Sequence, residues 1–196
     1  MTWTPTAIFA IGLFVVLPQD RNTPPAPTQV VHFSPPAAAK DSARAGTCHR
    51  SLVSDRTDAY RCVAADTTYD PCFAINRPGQ VLCDADPREA ASGTSIIASL
   101  PDSTSWRPRD DSLRAWFFEL EDGSTCRPLV VGGGREVDGM AELYTCRFAP
   151  PGYDAVLGEI DTRAAVWTIQ QVSLNKRAPP LSIKQLTSAV VKTAWQ

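Results

Sequence analysis

Cys48, Cys62, Cys72, Cys83, Cys126 and Cys146 are the residues of this 196-residue chain best suited to chemistry, and two chemistries compete for them. A zinc site draws on paired ligands at short spacing, such as C-x-x-C. Here the closest cysteines, Cys62 and Cys72, lie ten positions apart, and His32 and His49 are the two histidines. The spacing therefore favours a disulfide framework in an oxidising compartment. Six cysteines permit 15 pairings. We expect neighbours to pair: Cys48 with Cys62, Cys72 with Cys83, and Cys126 with Cys146, the last two on strands of one hairpin. Each bridge would contribute about 2–4 kcal/mol by restricting the unfolded chain.

Other motifs carry less. Gly132-Gly133-Gly134 is followed by Arg135-Glu136-Val137, not by the G-K-[ST] that opens a phosphate-binding helix, and reads as a flexible connection. No G-x-S-x-G elbow occurs, and His49 sits beside Cys48 with no nameable triad partners. The carboxylate pairs Asp84/Asp86, Asp110/Asp111 and Glu119/Glu121 could serve glycoside hydrolysis only across a cleft. On a strand, Glu119 and Glu121 would simply mark its wet face. Asp66, Asp70, Asp84 and Asp86 could supply oxygens to calcium, but lack the ordered D-x-D-x-D-G spacing. No catalytic residue, cofactor or metal ligand is assigned. With 21 acidic against 19 basic residues and no basic stripe, nucleic acid is not an expected partner. Trp116 and Trp167 fall in strand patterns and read as core. Trp106 with Arg107 and Arg109, in a loop, has the composition of a binding hot spot. Tyr153, in the Pro-Gly-Tyr-Asp turn, is a second partner-binding candidate.

Three segments must position these residues. Residues 1–18 hold an apolar run, Thr6 to Leu17, with Trp3 ahead of it and no charge before Asp20. No basic n-region or A-x-A cleavage site accompanies it, so it reads as a retained membrane anchor through Ile8, Phe9, Ile11, Leu13, Phe14, Val15, Val16 and Leu17. A helix of roughly 20 Å is short against a ~30 Å hydrocarbon core, and would suit packing among other membrane helices. Residues 19–47 form a Pro/Ala-rich linker whose prolines exclude a continuous helix. Extended, its 29 residues could reach about 90 Å. Its one sticky patch, Val30, Val31, His32 and Phe33, is a candidate to dock on a partner.

Residues 48–196 form the domain. Tyr60 to Ala65, Val81 to Cys83, Thr94 to Leu100, Ala115 to Leu120, Arg127 to Val131, Leu143 to Phe148, Val166 to Leu174, Ile183 to Leu186 and Ala189 to Trp195 read as strands. Turn signals at Asp70-Pro71, Pro78-Gly79, Asp122-Gly123 and Pro151-Gly152 separate them. Asp122-Gly123 between apolar runs is the strongest hairpin signal. Short helices could form over Asp86 to Ala91 or Leu186 to Val191. The expected fold is all-β, a small disulfide-stapled sandwich or barrel-like domain.

Ala59-Tyr60-Arg61-Cys62, Tyr69-Asp70-Pro71-Cys72-Phe73, Asp122-Gly123-Ser124-Thr125-Cys126, Tyr144-Thr145-Cys146 and Trp167 together resemble a group of bacterial exported proteins with an R-C…Y-D-P-C-F signature. The likeness spans about residues 46 to 195. It implies an exported, cysteine-paired domain behind a membrane or proline-rich leader, and no reaction, because none is assigned to that group. The function expected is a non-enzymatic accessory subunit of a larger membrane complex, on its periplasmic face or at the cell exterior. A photosynthetic reaction-centre or respiratory assembly is the most concrete version. Its partners would be integral membrane subunits, and the lipid bilayer through residues 1–18. A stalked binding module for carbohydrate or peptide is the alternative, and a cryptic hydrolase the third.

Overall fold

A computed structural model of the chain describes residues 24–36, 43–89, 92–101, 115–130, 134–149, 151–176 and 180–196. The expected anchor over residues 1–18, and with it Trp3 and the apolar run, lies outside these residues, as do Trp106, Arg107 and Arg109. None of the described elements is a helix, and no helix among them is long and apolar enough to cross a membrane. The all-β class is thus what forms, as two large curved sheets that share an aromatic cluster, with a small two-stranded hairpin beside them.

The first sheet holds β2 (Arg44–Ala45), β3 (Thr47–Arg50), β4 (Ala59–Ala64), β5 (Thr67–Ala74), β6 (Gln80–Cys83) and β7 (Thr94–Ile97), in the order β2-β7-β6-β5-β4-β3. Since β2 and β3 are consecutive, a single stretch of chain pairs with β7 and then with β4, and the sheet closes into a barrel. Gly46 makes the switch between neighbours. A Cβ there would lie 2.7 Å from the Val63 carbonyl oxygen and 2.8 Å from Ile96 Cγ2, so only glycine allows the strands to approach this closely.

Asp70-Pro71, expected as a turn, lies inside β5 with its peptide bond cis. Tyr60 faces Cys72 while Cys62 faces Tyr69, so β5 carries one residue more than β4 in this interval. That bulge accommodates a proline, which has no N–H for the ladder, in a strand flanked on both sides.

The second sheet holds β8 (Phe117–Leu120), β9 (Thr125–Pro128), β12 (Tyr144–Arg147), β13 (Ala155–Asp161), β14 (Trp167–Asn175) and β15 (Ser182–Trp195). Its order is β1-β15-β14-β13-β12-β9-β8, where β1 is Gln29–Val31, and β15 also pairs with β8, so this sheet too returns on itself. The two runs expected at Ile183 to Leu186 and Ala189 to Trp195 are one strand. The helix considered over Leu186 to Val191 does not form, because those residues pair with β14 in continuous register. A hairpin of β10 (Glu136–Val137) and β11 (Met140–Ala141) covers the outer face, where Val137 and Met140 pack with Leu157, Val172 and Leu174. Its turn, Asp138-Gly139, takes positive φ at both residues (49° and 78°), as a two-residue hairpin turn requires.

Each sheet has its own interior. Tyr60, Ala64, Val81, Ile96 and four cysteines fill the first; Phe118, Leu120, Tyr144, Val156, Trp167, Ile169 and Val191 fill the second. Between them lies an aromatic seam of Phe33, Phe73, Trp116, Phe117 and Trp195, with ring centroids 4.9–5.4 Å apart for the closest pairs. Part of the segment read as a Pro/Ala-rich linker enters this seam. β1 runs parallel to the end of β15, with Gln29 opposite Thr193 and Val31 opposite Trp195, and Phe33 is buried. Arg56 clasps the junction: it donates to the carbonyls of Phe33 and Gln196, pairs with Asp58, and lies 4.7 Å from the Phe73 ring centre.

Candidate functional site

The cysteines pair as expected, Cys48 with Cys62, Cys72 with Cys83 and Cys126 with Cys146, each with Cα atoms 4.1 Å apart. All three join residues directly opposite each other on antiparallel neighbours. Such positions, where no ladder hydrogen bond intervenes, bring side chains closest. Cys126 and Cys146 sit on adjacent strands but not on one simple hairpin, since the β10–β11 arm interrupts the connection. The sulfurs of Cys62, Cys72 and Cys83 lie within 4.8 Å of one another, and all three residues are fully buried. Two bridges therefore stack inside the first barrel. This is the one group of three clustered metal-type ligands among the described residues, and its sulfurs are already spent in disulfides, Cys72 with Cys83 and Cys62 with Cys48.

The carboxylates are engaged rather than gathered. Asp84 binds Arg127; Asp86 binds Arg88 through both oxygens, at 2.9 and 2.5 Å; Glu119 binds Lys192 at 3.1 Å. The Arg88 guanidinium holds the Asp86 carboxyl below its ordinary pKa. Asp66, Asp70, Asp84 and Asp86 do not converge as a calcium cage would. Asp110 and Asp111 lie outside the described residues. His49 is exposed on β3 opposite Arg61, away from any of these.

Asp70, the acid of the Y-D-P-C-F stretch, is buried, and it acts on the 51–54 loop. It accepts from the Ser51 hydroxyl at 2.5 Å and from the Leu52 N–H at 3.0 Å; Ser51 Oγ in turn accepts from the Val53 and Ser54 N–H groups. Burial raises its pKa more than these donors and Arg61 lower it. Tyr69, Asp70, Pro71, Asp84, Trp116 and Arg127 line a cavity of about 80 Å³, room for water rather than for a substrate. The Trp116 indole N–H beside it is buried without a partner.

The larger opening is a groove of about 270 Å³ on the edge of the seam. One wall is the strap, through Val31, His32 and Phe33; the other is the loop through Asp86 and Glu89; Trp195 forms the floor. Residues far apart in sequence meet here only because β1 joins β15, which no local pattern announces. Of the expected partner-binding residues, Val31 and Phe33 line this groove and Val30 stays 41% exposed at its side. Tyr153 is elsewhere, half-buried, its ring 6.3 Å from that of Phe148. Gly132 and Gly133 fall outside the described residues, while Gly134 presses against the backbone of Glu142 and forms no open cradle. Comparison of the chain with protein-family models, with curated proteins and with solved structures finds no match.

Proposed function

We propose that this chain is a non-enzymatic accessory subunit of a membrane protein complex, with residues 1–18 inserted among the membrane helices and the β domain on the periplasmic or outer face. The observation that carries the reading is the docking of the strap. The Thr28 N–H donates to the Ala165 carbonyl at 2.9 Å, and its hydroxyl donates to that of Val191 at 2.7 Å and accepts from the Trp167 N–H at 2.8 Å. From there through Phe33 the chain belongs to the domain. What separates the apolar run from the first fixed residue is therefore Pro18 to Thr28, at most about 40 Å of extended chain rather than about 90 Å. A domain held so short has a defined place over its anchor, which suits a subunit capping a complex better than a module swept through solution on a stalk.

The test is native purification from source membranes in mild detergent, through a C-terminal tag. Stoichiometric co-elution with integral membrane subunits is the expected result. A monodisperse monomer that retains Met1 would sink the proposal and favour the displayed binding module, for which the 270 Å³ groove supplies a site.

A further inference from the structure

We propose that the seam groove binds an extended peptide carrying a basic side chain, added as an outer strand along β1. Two independent observations converge on it, and neither depends on the membrane tether.

The first is an open strand edge. In a parallel ladder, successive residues turn their backbone groups to opposite sides. The Val31 carbonyl accepts from the Gln196 N–H and the Phe33 N–H donates to the Gln196 carbonyl, both at 3.0 Å. Val31 and Phe33 thus face β15, and Val30 and His32 turn their N–H and C=O groups away from it. Both of these residues are exposed, and among the described residues β1 is an end strand of its sheet. An added strand would find two residues' worth of donors and acceptors there, the usual basis of peptide recognition by strand addition.

The second is the groove beside that edge. Its apolar surface comes from Val31, Phe33 and Trp195, and its rim carries Asp86 and Glu89. Among the described residues, no lysine or arginine lines it. Arg88, the nearest base on the loop, is tied to Asp86 through both carboxylate oxygens, with its guanidinium 5.4 Å from the Phe117 ring centre. Asp86 is thus already paired, and Glu89 is the rim acid left to meet a ligand's charge. An apolar trough with an acidic rim is complementary to a lysine or arginine side chain, which lays its stem on apolar surface and carries its charge to the edge. Alternate side chains of an added strand would fall on the groove, so one basic residue suffices for specificity.

The experiment uses the folded protein and three capped heptapeptides of alternating Thr and Val, with Lys, Glu or norleucine at the centre. Amide and indole shifts are followed by NMR and affinities by calorimetry. The Lys peptide should perturb Val30, His32, Glu89 and the Trp195 indole, and should bind about five- to tenfold more tightly than the Glu peptide, the scale of contacts between exposed charges. Glu89→Gln should weaken the Lys peptide several-fold and leave the norleucine peptide unchanged. Val30→Pro, which removes an N–H that faces away from β15, should abolish binding of all three while melting stays cooperative. Absence of binding, equal affinity for Lys and Glu peptides, shifts that map elsewhere, or equal binding of free lysine amide would each overturn the proposal.

Discussion

The two sheets solve the same closure problem with different materials. The first barrel is built on strands of two to eight residues, and its interior is half cysteine: two buried bridges beside Tyr60, Ala64, Val81 and Ile96. The second has strands of up to 14 residues and a single bridge, with Phe118, Tyr144 and Trp167 as its bulk. A small barrel has too little apolar side chain to outweigh the entropy of ordering it, so covalent links take over part of that role. Where long strands give room for aromatic rings, packing alone goes further.

The contrast can be broken first in the second sheet. Phe118 is fully buried, with the Tyr144 ring edge-on at 5.0 Å. Phe118→Ala should cost about 3–5 kcal/mol in chemical denaturation. An effect under about 1 kcal/mol would mean that rings do not carry this interior. Removing Cys72 and Cys83 together as alanines should cost about 2–5 kcal/mol. Hydrogen exchange should then show lost protection in β4 to β6 and little change in β13 and β14; equal loss in both would deny the sheets separate interiors. Next is the clasp between them: Arg56→Met keeps the stem over Phe73 but removes the donors to Phe33 and Gln196, and should cost about 1.5–3 kcal/mol. Its melting curve should broaden as the two sheets lose coupling, and an unchanged single transition would argue against the clasp.

The smallest effect is in pH dependence, where the two regions carry opposite signs. In the first barrel, Asp70 has a raised pKa, so the native state holds its proton more tightly than the unfolded chain. Stability from this group falls as pH rises from the ordinary carboxylate value of 3.8 through the folded pKa. In the second sheet, burial opposes ionisation of Asp122, but the Ser124 hydroxyl and N–H and the Gln171 amide outweigh it, and the pKa is lowered. Its contribution is present above 3.8 and is lost as pH falls through the folded pKa. Melting temperatures measured across the acid range should therefore change slope in opposite directions for Asp70→Asn and Asp122→Asn, each with about 1 kcal/mol of lost hydrogen bonding. Slopes that change in the same direction would reverse the assignment for one of them.

What the sequence made legible was local. The expectation that each cysteine pairs with a neighbour in sequence holds, because all three bridges join strands that are sheet neighbours, although Cys62 and Cys72, the closest two in sequence, do not pair. Asp122-Gly123 announces the β8–β9 hairpin, with Phe118 opposite Cys126 as the turn dictates. What escaped was either disguised or distant. β5 was hidden by Pro71, which reads as a breaker until the bulge is seen, and by its preceding turn, Ala65-Asp66, which takes positive φ (46° and 61°) without a glycine to mark it. β13, with Gly158 at positive φ inside an irregular register, carries no clean alternation. The groove draws on residues 31 and 195, and only the pairing of β1 with β15 brings them together.

That pairing also sets an order of events. Gln29 lies opposite Thr193, so the strap has no seat until the residues of β15 have been synthesised. Contacts so far apart in sequence form late, after the loop between them has been closed by other structure. The first barrel needs only residues up to Ile97 to close, and can be complete while the strap is still loose. The seating of the strap, and with it the completion of the seam, therefore waits for the final strand.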